Sequence, residues 1–165
     1  MLKYWNTDIV FQEIPDETTL AINLTSCPCH CPGCHSKYLW QDIGKPLDIT
    51  EIGCLMSVYG KSITCICFMG GDAAPAEVQK LADDIKQRYP HYKVAWYSGR
   101  QYLPHEIDKK HFDYLKLGPY IAHLGPLSSA KTNQRMLKKQ QDGSFSDITA
   151  GFWKKNAAKQ EAVTK

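Results

Sequence analysis

The spacing of apolar positions changes several times along the chain, and each change marks an element. Thr19 to Leu24 is a short, nearly continuous apolar run that ends in a Pro/Gly/Cys loop, the pattern of a buried strand. In Asp48 to Tyr59 the apolar residues Ile52, Leu55, Met56 and Tyr59 share one helical face, and Asp48 is placed to cap the start. Ile63 to Met69 is apolar on both faces, as in a central parallel strand, and ends at Gly70-Gly71. Pro75 to Tyr89 carries a stripe of Val78, Leu81, Ala82, Ile85 and Tyr89, with Pro75 in its first turn, and reads as a helix. Lys93 to Ser98 is a further strand, Leu103 to His111 a short helix, and Tyr114 to Ile121 a strand broken near Gly118-Pro119. Gln134 to Gln140 and Ser144 to Thr149 flank Gln141-Asp142-Gly143 as a hairpin would, and Asp8 to Gln12 offers an additional strand before the first βα unit. The order β-α-β-α-β-α-β predicts an α/β fold with a parallel sheet covered by helices.

Composition adds limits. The 165 residues suit one domain, predicted over residues 1–153, followed by a polar, Lys-rich tail at 154–165 that reads as disordered, with Ala157 to Lys165 frayed. The formal charge of +3 is partly due to Lys154, Lys155, Lys159 and Lys165 in that tail, so the body is near neutral and no nucleic-acid partner is expected. No apolar run is long enough to cross a membrane, and Met1 to Asp8 lacks the pattern of a signal peptide, which predicts a cytoplasmic protein. Seven cysteines in a reducing compartment point to metal or redox chemistry rather than disulfides.

The chemistry concentrates in loops after the strands. In a parallel sheet these loops share one edge, where such folds place their sites. Cys27, Cys31 and Cys34 form C-x3-C-x2-C in the loop after the first strand; Gly70-Gly71-Asp72 follows the second, Ser98-Gly99-Arg100 the third, and Gly118-Pro119 interrupts the fourth. Three thiolates can hold an iron–sulphur cluster and leave one iron open to substrate. Pro28, Pro32 and Gly33 suit a tight loop around it. Three other readings stand beside this one: the cysteines as core residues, a zinc site drawn from Cys27, Cys29, Cys31, Cys34, His30 and His35, and a closed cluster completed by a distant ligand such as Cys54. Cys65 and Cys67 share one strand face and read as core, Cys54 as structural, and Trp96 and Tyr97 as core or pocket wall. His91, His105, His111 and His123 read as solvated or capping residues.

The cysteine motif after a first strand, followed by Gly-Gly-Asp after a second, resembles the radical S-adenosylmethionine superfamily. Cys31-Pro32-Gly33-Cys34-His35, Trp96-Tyr97-Ser98-Gly99, Asp113 to Tyr120 and Thr132-Asn133-Gln134-Arg135 are similar to the short activating proteins of anaerobic ribonucleoside-triphosphate reductase, and the resemblance runs from about Asp8 to about Trp153. It implies a partial (open) parallel βα barrel of the radical S-adenosylmethionine type, with a C-terminal hairpin-like extension. It implies a [4Fe-4S] cluster on Cys27, Cys31 and Cys34, and S-adenosyl-L-methionine bound by Gly33, Cys34, His35, Gly70, Gly71, Asp72 and Ser98. Reductive cleavage would give a 5′-deoxyadenosyl radical that takes hydrogen from a glycine. The implied partners are the large reductase subunit and a flavodoxin-like electron donor. The chain departs from the superfamily pattern at Gly33, where an aromatic residue is common, at His35, at Ala73-Ala74-Pro75 after Gly-Gly-Asp, and at Leu117, where an acidic residue is frequent.

Overall fold

The computed structural model describes residues 1–153, and the predicted tail lies outside the described residues. One eight-stranded sheet organises the chain in the order β3-β1-β2-β4-β5-β6-β7-β8. Its strands are β1 (Lys3–Val10), β2 (Thr19–Leu24), β3 (Lys45–Pro46), β4 (Cys65–Met69), β5 (Lys93–Tyr97), β6 (Tyr114–Leu117), β7 (Arg135–Lys139) and β8 (Phe145–Asp147). The four central strands β2, β4, β5 and β6 are parallel, as the sequence predicts. The flanks are antiparallel: β1 and β3 on one side, the β7–β8 hairpin on the other.

The helices α1 (Ile49–Tyr59) and α2 (Pro75–Arg88) lie against the same face of the sheet. Leu20, Ile22 and Leu24 of β2, Ile66 and Phe68 of β4, Val94 and Trp96 of β5, and Leu115 of β6 point to them and form the main core with Ile52, Val78, Leu81 and Ile85. Alternation sends Cys65, Cys67, Ala95 and Tyr114 to the opposite face, where Ile14, Leu127 and Met136 pack on them. Cys65 and Cys67 are thus fully buried core residues, and burial pushes both thiols up. On this second face the cover is loop, the hairpin and a short helical stretch at residues 150–153, whose Phe152 packs on the cluster.

Asp48 caps α1 as predicted, its carboxylate accepting from the backbone N–H groups of Thr50 and Glu51, both at 2.9 Å. Asp48→Ala is expected to lower stability by about 1 kcal/mol, read as a shift of the urea unfolding midpoint without a change in slope.

Three elements differ from the sequence reading. The first strand spans Lys3–Val10 rather than Asp8 to Gln12, because it pairs along almost its whole length with β2 while Phe11 to Asp16 turns away to deliver Ile14 into the second core. The helix predicted for Leu103 to His111 is a single 3-10 turn, Lys109–His111. Asp108 N–H, which a helix would use, is instead taken by Gln79 Oε1 of α2 at 2.7 Å. The last parallel strand stops at Leu117, because Gly118 takes a φ of +108°, and its N–H turns back to Arg100 O at 2.7 Å. The predicted hairpin is present, with Gly143 at φ +84° in its turn.

Candidate functional site

The C-terminal ends of β2, β4, β5 and β6 open on one cleft of about 190 Å³. Its walls include Cys27, Cys34, Gly70, Asp72, Ser98 and Lys116, so every one of the four parallel strands or the loop after it contributes. Across it runs one lateral row of paired residues on the face opposite α1 and α2: Asn23, Met69, Tyr97 and Lys116.

The cysteine loop leaves β2 through Ser26, whose φ is +60°, and turns again at His30 (+44°) and Gly33 (+81°). Backbone bonds pin both ends. Cys27 N–H donates to Leu39 O at 2.9 Å and Cys34 N–H to Cys31 O at 3.0 Å. Cys34 Sγ accepts from Ser36 N–H at 3.4 Å. Aromatic rings flank the loop: His30 stacks on Trp40 with ring centres 4.7 Å apart, and His35 meets Tyr120 at 5.9 Å. Gly33 lies under Tyr120, whose Cε1 a Cβ at Gly33 would meet at 3.4 Å.

The strand-end loops are joined by Asp72, which is 1% exposed. Its Oδ1 accepts from Ser98 Oγ, and its Oδ2 accepts from Gly99 N–H at 2.8 Å and faces Cys29 Sγ at 3.7 Å. Arg100 closes the group, donating from Nη2 to Asp72 O at 2.9 Å. Ser98, also 1% exposed, accepts from Arg100 N–H at 3.1 Å. Asp72 and Ser98 therefore hold each other and tie the loops after β4 and β5 together. Gly70 and Gly71 have φ values of +104° and +91°, which only glycine adopts freely. A side chain at Gly71 would meet Val78 Cγ2 at 2.5 Å, so this residue is packed beneath the cleft rather than lining it.

Of the residues singled out in the sequence, Cys27, Cys34, Gly70, Asp72 and Ser98 meet at the cleft; Cys31 is half-buried beside it, and Gly33 and His35 are exposed on the loop. Cys29 points inward. Its thiol donates to Asp72 Oδ2, and its closeness to Cys27 draws the Cys27 thiol down to about 6 while that closeness and burial push the Cys29 thiol well up. Gly99 leaves room for it: a Cβ there would stand 2.6 Å from Cys29 Sγ.

Sequence reasoning did not single out Lys116. The available signal was its phase: alternation from Tyr114 puts it on a buried face of a central strand, an unusual place for a lysine. Burial lowers its pKa from 10.5 to about 8, against the opposing pull of Cys31, Asp72 and Cys29. Because the folded value lies below the unfolded one, the unfolded chain holds more protons between pH 8 and 10.5, and the penalty for the buried charge is complete below pH 8. That penalty is on the order of 3 kcal/mol, offset by about 1 kcal/mol for the bond to Gly118 O. Lys116→Met is expected to unfold at higher urea than the parent at pH 7, with the gap closing as pH rises from 8 to 10.5.

The donor set suits an iron–sulphur cluster: four thiols within one short loop, two of them on the cleft wall, and one already accepting a backbone N–H as cluster thiolates do. Among the described residues no three His, Cys, Asp or Glu side chains are placed to hold a single metal ion. A cubane asks for a wider spread, because each of its cysteines binds a different iron.

These features define a mixed α/β protein whose thiol-rich loop opens on a cleft at the carboxyl ends of its parallel strands. The chain belongs to the family described as 4Fe-4S single cluster domain, whose model matches residues 18–143, a span that runs from β2 through the cysteine loop into the C-terminal hairpin. It is therefore an iron–sulphur protein, consistent with redox chemistry. No curated protein and no solved structure matches the chain. No helix among the described residues is long and apolar enough to cross a membrane.

Proposed function

We propose that the chain is a radical S-adenosylmethionine enzyme that installs a glycyl radical on the large subunit of an anaerobic ribonucleoside-triphosphate reductase, and that its sheet is the open barrel of that superfamily. The observation that carries this reading is the meeting of Cys27 and Cys34 with Gly70, Asp72 and Ser98 around one cleft. Cys27, Cys31 and Cys34 would hold the [4Fe-4S] cluster through three irons. The chemistry a bound cluster supplies is one electron, received from a flavodoxin-like donor, which cleaves S-adenosylmethionine to methionine and a 5′-deoxyadenosyl radical.

The protein's share is placement. Gly70 brings bare backbone to the cleft edge for the methionine end of the ligand, Gly71 packs beneath it, and Asp72 and Ser98 fix that edge by bonding each other. Gly33 and His35, with Tyr120 over them, offer a face for the adenosine. The cleft at the carboxyl ends of the parallel strands would be the approach for a protein segment bearing the target glycine.

The test is anaerobic reconstitution with iron and sulphide, reduction, and addition of S-adenosylmethionine with and without the large reductase subunit. Methionine and 5′-deoxyadenosine are expected in both cases, and a glycyl radical EPR signal only with the reductase. A colourless protein holding stoichiometric zinc would defeat the proposal.

A further inference from the structure

Lys116 is nine-tenths buried on the wall of the cleft that Cys27 and Cys34 also line. Its ammonium donates to Gly118 O at 2.7 Å and stands 5.9 Å from the centre of the Tyr97 ring. Among the described residues it forms no ion pair with a carboxylate. The ionisable groups that act on it are Cys31, first, then Asp72 and Cys29. An unpaired cation held from water lowers stability, and an apolar residue in line with Met69 and Tyr97 would fill the same wall without that cost. A residue that breaks the local rule at the edge of a site points to function.

We infer that Lys116 sets the reduction potential of the cluster carried by the cysteine loop, its fixed positive charge favouring the reduced, more negative form before any nucleotide ligand binds. The inference rests on Cys27, Cys31 and Cys34 being the cluster ligands. Cluster potentials respond to net charge and solvent exposure around the sulphurs, and a charge in a poorly solvated cleft acts more strongly than one in water. The step is a one-electron transfer: the flavodoxin-class donor loses the electron that the cluster gains, and no bond or proton moves in the protein. Lys116 is thus a positioning residue for charge, acting on the cluster and touching no reacting atom.

The experiment is a potentiometric titration of the full chain, reconstituted anaerobically and followed by the EPR signal of the reduced cluster, without S-adenosylmethionine. Lys116→Met is expected to keep the parent's iron and sulphide and to shift the one-electron equilibrium about tenfold toward the oxidised form, about 59 mV more negative. Lys116→Arg, which keeps the charge, is expected to stay near the parent value. If Lys116→Met fails to hold the cluster, Lys116→Gln, which retains a donor for Gly118 O, carries the same expectation. A fully loaded neutral variant with an unshifted potential overturns the inference and leaves the cluster assignment standing. So does a shift that arises only after S-adenosylmethionine is added, which would make Lys116 an anchor for the ligand's carboxylate. Equal shifts in the Met and Arg variants also overturn it, since charge is then not the cause. A parent protein that takes up no iron removes the functional reading, and this inference with it.

Discussion

Cys31→Ala is expected to lose the stable cluster and all S-adenosylmethionine cleavage, whereas Cys29→Ala keeps a functional cluster. The two positions are close in sequence but differ in surroundings. Cys29 points at Gly99 and donates to Asp72 Oδ2, so its sulphur is engaged with the strand ends. Cys31 has no such engagement. Its carbonyl anchors the turn that presents Cys34, and its thiol is the one that acts most strongly on Lys116. On the proposed ligation by Cys27, Cys31 and Cys34, removing Cys31 would leave an iron without its thiolate, a defect that Cys29 would have to repair by breaking its contact with Asp72. Iron and sulphide content, the visible absorption of the brown protein and 5′-deoxyadenosine yield measure both variants. Equal loss in both would mean that the ligand assignment is wrong.

Asp72→Asn is expected to be the most damaging isosteric change in the cleft. The carboxylate is buried and accepts from Ser98 Oγ through one oxygen and from Gly99 N–H through the other. An amide can keep one acceptor at best, and its NH2 would face a donor. Leaving one buried donor unpaired costs about 1–3 kcal/mol, and bonds to a charged group are at the upper end. A loss of about 3 kcal/mol in urea unfolding of the cluster-free protein is expected, together with weakened S-adenosylmethionine binding, because the loops after β4 and β5 then lose their common tie. Ser98→Ala removes one of the same bonds and is expected to lie between parent and Asp72→Asn.

The sequence made the parallel centre of the sheet legible because its signals are local. Ile63 to Met69 and Lys93 to Ser98 are apolar runs punctuated by glycine, and α2 carries an unbroken stripe from Val78 to Tyr89. It also placed the cysteine loop and Gly70-Gly71-Asp72 on one edge, because parallel strands force that edge to be shared. What was not legible depends on distant partners. The turn at Lys109–His111 replaces a helix because Gln79, on another element, takes the donor of Asp108. The antiparallel flanks follow from pairing choices that β1 and β7 make with β2 and β6, which no local period encodes. In the site, side-chain direction was the missing quantity. Spacing alone could not show that Asp72 and Ser98 face each other, that Cys29 turns inward, or that Lys116 enters from below.

The bare Cα of Gly99 gives the site a steric key. The seat it offers Cys29 is one methyl group deep, with Cys29 Sγ standing 2.6 Å from where a Cβ would be and Asp72 Oδ2 at 3.6 Å. Any side chain there must displace the Cys29 sulphur from its place against Asp72. The approach of the Cys29 sulphur to the carboxylate that braces the cleft is therefore set by an atom that position 99 lacks.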